Sequence, residues 1–386
     1  MTTALRPAAP AAPVLPAARG PLSALVLEAL TAAPGTGPGC PADVGDPWGE
    51  DAQLALYVCY ELHYQGFHGV DPAWEWDTGL LALRARLEAA FLAALRGAVG
   101  GPGPLDGVVA DLLVEPPDGT GPSFHLLERG ERWQAREYVV HRSLYHLKEA
   151  DPQLWAVPRL PHPAKAALMT VQYDEYGSGR PERAHALLFG RMMADLGLDT
   201  RYGHYLDAVP APALAVVNLM SLFGLHRALR GAAVGQFAAV EITSPPGAAR
   251  LARALERLGA SPDGTLFYRE HVVADAVHEQ LVRRTVLEPL VAATRRWPRT
   301  SPSASPPPAR SRTGWPGICW MPGAGAAARC GCRSATARRP DGRSCEEPTV
   351  SDRPSPGSRW TGCPARPADH RGAGRGSATP SPPPSP

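Results

Sequence analysis

What most limits the fold open to this chain is the stretch Phe267-Tyr-Arg-Glu-His271-Val-Val-Ala-Asp275-Ala-Val-His278. His271, Asp275 and His278 fall at i, i+4 and i+7. On an α-helix that spacing stacks three side chains on one face over two turns. Val273, Val277 and Leu281 bracket the trio, so the face is expected to point inward. Two imidazoles and a carboxylate directed into a helical core are typical first-row metal ligands. They make half of a carboxylate-bridged two-metal site, and the rest of the chain must supply the other half.

The surrounding sequence reads as helix after helix, with almost no strand signal. Apolar residues recur at three- and four-residue steps over residues 22–33, 80–95, 131–150, 163–175, 182–196, 224–244, 248–258 and 266–293. A further helix opens near Asp46-Pro47 and stops near Gly66, and residues 213–223 are apolar throughout. An all-α bundle of roughly seven or more helices is the expected class. Residues 97–118 are Gly/Pro-rich and read as a loop, apart from a short apolar run, Val108–Val114, whose state the pattern does not assign, and Ser261-Pro-Asp-Gly reads as a turn. Gly177-Ser-Gly-Arg-Pro181 interrupts the helical pattern between Glu175 and His185. If the helix bends and continues, these two are about 80° short of three full turns and can reach one interior site.

Both ends differ from the body, expected as one domain over residues 22–296. Residues 1–21 are Ala/Pro-rich and are expected to form a disordered tail. Residues 297–386 contain no Leu, Phe or Tyr, and 13 Arg against 5 acidic residues, so the tail carries +8 and the body −6 of the total +2. Such a segment cannot bury enough apolar area to offset its ordering entropy. The change at Thr294-Arg-Arg-Trp297-Pro is abrupt, and a shifted reading frame replacing a natural helix is one expectation for it. Cys330-x-Cys332 has zinc-like spacing without a second pair. The near-neutral total argues against a dedicated nucleic-acid binder. No apolar run reaches the ~18–20 residues of a membrane span, and prolines break any signal-peptide core, so a cytoplasmic body is expected.

The ligand-capable residues are Glu149, Glu175, His185, His271, Asp275 and His278. Three carboxylates and three imidazoles on three or four helices are the kind of set that a di-iron centre in a bundle needs. Glu149 is expected in the last turn of the helix over 131–150, where a metal or a basic partner would offset the helix dipole. Glu61 with His63 or His68 reads as a hydrogen-bonding set. Glu241, in the apolar run Phe237-Ala-Ala-Val-Glu-Ile242, reads either as a residue lining a pocket behind the ligands or as a partner of Arg227 or Arg230.

Tyr145-His-Leu-Lys-Glu149-Ala-Asp-Pro152, Gln172-Tyr-Asp-Glu175-Tyr-Gly177 with His185 ten residues on, and His271-x3-Asp275-x2-His278 resemble the haem-oxygenase-like di-iron oxidases and oxygenases, the iron-containing redox enzymes. The resemblance covers roughly residues 130–290. It implies a haem-oxygenase-like helical fold that binds two Fe(II) ions rather than haem. It implies O2 as co-substrate, a small organic substrate, an external electron donor and a homodimer as a compatible assembly. Carried over, the six residues are the metal ligands and Glu175 is the favoured bridge. Two other readings compete. One is a haem-binding or haem-degrading protein of the same fold, which needs one proximal His rather than six clustered ligands. The other is an inactive, truncated relative acting as a binding protein.

Overall fold

The computed structural model describes residues 12–35, 37–99, 103–115 and 119–295. The expectations for residues 1–11 and for the tail 297–386, including its cysteines and its frame, lie outside the described residues. Every regular element among the described residues is helical.

A proline-rich chain can be this helical because many prolines sit in first turns. Helices α1 (Pro21–Leu30), α5 (Pro122–Glu128) and α12 (Pro262–Leu281) each begin on Pro, at a position whose N–H has no intrahelical partner anyway. Ser261 caps α12, its Oγ accepting from the Gly264 N–H at 3.2 Å. The expected Ser261-Pro-Asp-Gly turn is therefore the cap and first turn of the helix that carries His271.

Three apolar cores organise the remaining helices. The first joins α1 and α2 (Glu50–Glu61) to α3 (Thr78–Val99) and α10 (Ala211–Leu225) around Val26, Leu54, Tyr57, Phe91 and Leu214. Helix α10 is apolar on nearly every side because it runs through this core. No single described helix is long and apolar enough to cross a membrane. The second core packs α6 (Arg132–His146) and α9 (His185–Asp195) against α11 (Arg230–Arg257) and α12, around Phe189, Met192, Leu251 and Phe267. The third packs α4 (Leu105–Leu112) and α8 (His162–Glu175) against α11 and a π-helical segment, Val282–Leu287, around Val171, Phe237, Val282 and Val286. The short helix α7 (Asp151–Leu154) follows α6, and α13 (Glu288–Arg295) closes the described chain.

Several expectations are corrected. Residues 12–20 are not a free tail. Their backbone is tied down, with the Pro13 carbonyl accepting from the His68 N–H at 2.8 Å, the Ala17 N–H donating to Asp207 Oδ1 at 2.9 Å, and Arg19 paired with Glu50. Low-complexity composition hides such bonds because they use the main chain. Helix α4 forms within the stretch read as a loop, over part of its unassigned apolar run. The segments expected at 224–244 and 248–258 merge from Arg230 onward into one helix, α11, running through Pro245 and Pro246, while residues 224–225 end α10. Each proline removes one i→i−4 bond, leaving the carbonyls of Glu241 and Ile242 without their usual partners. Packing along α12 keeps the helix continuous across the gap. The segment 266–293 is also not one regular helix, because the π-helical turn follows α12 directly after the ligand face. Such insertions shift the register of the side chains beyond them.

A buried ion pair links the first core to the rest. Lys148 Nζ lies 2.9 Å from Glu61 Oε2, both side chains excluded from solvent. The Tyr202 hydroxyl donates to the same carboxylate at 2.8 Å, and Lys148 lies 4.3 Å from the Tyr64 ring centroid. Glu61 and His63 thus serve different networks, since His63 Nδ1 meets Glu75 Oε1 at 3.0 Å. Removing one member of a buried pair leaves the other charge uncompensated, a cost of about 3–5 kcal/mol. Lys148→Met is expected to lose that much in urea unfolding, and adding Glu61→Gln is expected to recover most of it. An additive double mutant would show that the two groups are not coupled.

Candidate metal centre

Helix α6 ends at His146, one turn earlier than its periodicity suggested, and a new helix, α7, begins at Asp151 with Pro152 in its first turn. Glu149 therefore stands beyond the helix, in the turn to α7, and not in a last helical turn. Lys148 points to Glu61, and Glu149 turns inward, where its Oε2 lies 3.1 Å from His146 Nδ1.

Glu175 is the last residue of α8 and His185 the first of α9. A bent, continuous helix does not join them. The chain reverses through Gly177, Ser178 and Gly179, all with positive φ (85°, 54° and 80°). A Cβ on Gly177 would sit 2.2 Å from the Arg180 carbonyl oxygen, so glycine is required there on two counts. The reversal brings His185 Nδ1 to 2.7 Å from Glu175 Oε2.

On α12, His271, Asp275 and His278 are buried as expected, but the bracketing valines do not define their face. Val273 is 70% exposed and Val277 63% exposed. At 3.6 residues per turn they lie on the far side from His271. Phe267 and Tyr268 carry the inward stripe instead.

These segments assemble two groups of potential ligands. Donor atoms of Glu149, Glu175, His185 and His271 lie within 4.8 Å of one another, and so do those of Glu175, Glu241 and His278. Glu175 belongs to both. Asp275 stands beside the second group and outside it. Its Oδ2 accepts from the Ser244 hydroxyl, and its Oδ1 lies 3.9 Å from His278 Nδ1.

The imidazoles are oriented from behind. His271 Nδ1 donates to the Phe267 carbonyl at 2.7 Å, which leaves Nε2 facing Glu149, 3.8 Å away. His278 meets Asp174 Oδ2 through Nε2 at 3.3 Å, and its Nδ1 faces Glu241 Oε2 at 3.2 Å. A carboxylate or carbonyl behind the far ring nitrogen is the usual support of a metal-bound histidine.

The electrostatics favour added positive charge. Burial drives Glu241 well above the ordinary carboxylate range, and Asp275 and Glu175 push it further. Burial also lifts Asp275 to about 6. Burial disfavours the charged form of His271, but Glu149, Asp275 and Glu175 outweigh it and raise this imidazole to about 10. Burial likewise opposes the charge on Glu149, yet His146 and His271 hold it well below the usual range. Among the described residues, no lysine or arginine forms an ion pair with Glu149, Glu175, Glu241 or Asp275. Four buried carboxylates without a permanent positive partner are costly as an isolated set. His185 Nδ1, buried and 2.7 Å from Glu175, has no aligned hydrogen bond. An orphaned imidazole nitrogen among acceptor-only oxygens is what a divalent cation would satisfy, so these residues fit a metal.

Glu241 is the residue that the sequence motif left out. Neither Arg227 nor Arg230 pairs with it; His278 does. Its signal was a lone carboxylate in an apolar helical run. His146 and Ser244, which hold Glu149 and Asp275, carried no signal of their own.

Gly177→Ala is expected to destabilise the chain by about 1–2 kcal/mol for the left-handed backbone alone, with more from the clash. It should also lower metal retention by separating Glu175 from His185. Thermal melts and metal content of the purified variant check both, and an unchanged Tm would mean that the reversal tolerates a side chain.

No curated protein matches the chain. Residues 136–299 match the family model of the iron-containing redox enzymes, a haem-oxygenase-like helical family, and Glu149, Glu175, His185, Glu241, His271, Asp275 and His278 all lie within that span.

Proposed function

We propose that the protein is a non-haem di-iron oxidase or oxygenase that uses O2 to oxidise a small organic substrate, with electrons from an external donor. The observation that carries this reading is the membership of Glu175 in both donor groups. A carboxylate has two oxygens and can serve two ions, while the first group keeps two histidines of its own and the second keeps one.

In this reading Glu149, His185 and His271 would hold one iron, Glu241 and His278 would hold the other, and Glu175 would serve both. Asp275 is a further ligand candidate, within reach of the second group if its bond to Ser244 opens. Two Fe(II) ions would supply the electrons that O2 accepts, chemistry that protein side chains alone do not provide. The chain's own residues set the conditions. The Phe267 carbonyl and Asp174 fix which nitrogen of His271 and His278 faces inward. His146 positions Glu149. Phe189 and Phe267 pack edge to face beside His146 and His185 and keep water from that side.

Iron stoichiometry tests the reading. The full chain, loaded anaerobically with Fe(II), is expected to bind two irons and to consume O2 when mixed with it. Glu175→Ala should lose at least one iron while keeping its helical circular dichroism. Zero or one iron in a folded wild-type chain, or an unchanged count in the variant, would sink the bridging role.

A further inference from the structure

A cavity of ≈ 200 Å³ opens onto the metal centre, with Glu149 and His271 among its lining residues. Its wall is largely apolar, built from Leu95, Val216, Leu219, Val240, Leu251 and Phe267. Two arginines also line it, and they differ. Arg250 is paired with Glu115 through both terminal nitrogens. Arg142 has no carboxylate within ion-pairing distance among the described residues. Its Nε–H donates to His146 Nε2 at 3.3 Å, and its guanidinium lies over the Tyr145 ring, 4.8 Å from the centroid. The two terminal nitrogens make no hydrogen bond to any described residue.

A second group points the same way. Tyr268 lines this cavity and is only 5% exposed, its hydroxyl buried beside Tyr138 without a well-aligned hydrogen bond. A cation with free terminal donors and a poorly paired O–H on one cavity together favour an anion.

We propose that this cavity binds a small organic carboxylate, its two oxygens on the terminal nitrogens of Arg142, with the Tyr268 hydroxyl as a further donor and an apolar body against the Leu219–Val240 wall. Planar guanidinium and planar carboxylate match in this way. A phosphate, with a charge of about −1.5 to −2, would leave excess negative charge beside Glu149. The volume limits the body. A cavity of about 150 Å³ holds benzene, so by the same scale a body of about eight non-hydrogen atoms fits here. Held this way, the body of the molecule lies beside the group formed by Glu149 and His271, which makes it a substrate. That last step rests on the di-iron reading, whereas the binding itself does not.

The test is isothermal titration calorimetry of the full chain with 3-phenylpropanoate and its neutral isostere 3-phenylpropanamide, in iron-free and anaerobic Fe(II)-loaded forms. The acid is expected to bind about ten- to a hundredfold more tightly than the amide in both forms, the usual worth of a hydrogen bond to a charged group. Arg142→Gln should abolish that preference, and Tyr268→Phe should reduce acid binding about two- to tenfold. If Arg142→Gln does not fold, Tyr268→Phe decides the anion contact. Val240→Phe, which fills the cavity, should weaken acid and amide alike. Equal binding of acid and amide, or no binding of either, overturns the proposal. An acid preference seen only with iron, and untouched by Arg142→Gln, would mean that the metal holds the carboxylate. That overturns the role of Arg142 and leaves the di-iron reading standing. Acid binding through Arg142 in a chain that takes up no iron would do the reverse.

Discussion

Four carboxylates that cannot all remain charged in a dry interior govern the arrangement of this protein. Glu149, Glu175, Glu241 and Asp275 are drawn from four helices or their ends, and each is buried. Bringing such groups together costs several kcal/mol per ion without compensation. Protons held by His271, Glu241 and Asp275 make the cluster tolerable. Those protons are the least specific way to neutralise it. Cations coordinated by the same oxygens and nitrogens would neutralise it with defined geometry. Metal binding and the stability of this part of the bundle are therefore expected to be linked, because the cation would bind only where the folded chain brings the ligands together.

The fold delivers these ligands through breaks in regular structure. Glu149 lies just past a helix end, Glu175 and His185 flank a left-handed reversal, and Glu241 sits four residues before a proline pair inside a helix. Only the α12 ligands lie on an uninterrupted helical face, and a π-helical turn follows immediately. A regular bundle presents side chains at fixed intervals. Interrupting it lets two carboxylates and an imidazole converge from directions that no helical repeat would supply. The breaks are held by apolar packing on either side, with α11 contributing to both the second and the third core.

The N-terminal helices take part although they contribute no ligand. Glu61, on α2, accepts the ion pair from Lys148, the residue preceding Glu149. That pair fixes the turn in which Glu149 faces inward, and Tyr202 satisfies the same carboxylate. The Arg142–His146–Glu149 series supports the turn from the other side. Arg142 donates to His146 Nε2, which leaves the proton on Nδ1, facing Glu149. A hydrogen-bonded neutral histidine, pulled down to about 4 by burial, can hold the carboxylate without competing for the positive charge.

Much of this was legible from residues alone. Periodicity marked the helices, and i, i+4, i+7 spacing put His271, Asp275 and His278 on one face, because helix geometry maps sequence separation directly onto direction. Proline and serine marked the helix starts once their place in a first turn was recognised. What sequence could not show depends on separations of tens to hundreds of residues. Glu241 looked like a carboxylate in search of an arginine until the fold set it against His278. Val273 and Val277 looked like core, yet which side of α12 is covered depends on α8, α9 and α11. Arg142 and Tyr268 became a pair only through the cavity between them. The amino-acid sequence by itself determined an all-helical body and a set of metal-capable side chains, because local backbone geometry and ligand chemistry are properties of residues and their near neighbours. Only the tertiary structure decided which carboxylate is shared and which cation is left unpaired, because those follow from distances between helices that the chain's local preferences do not encode.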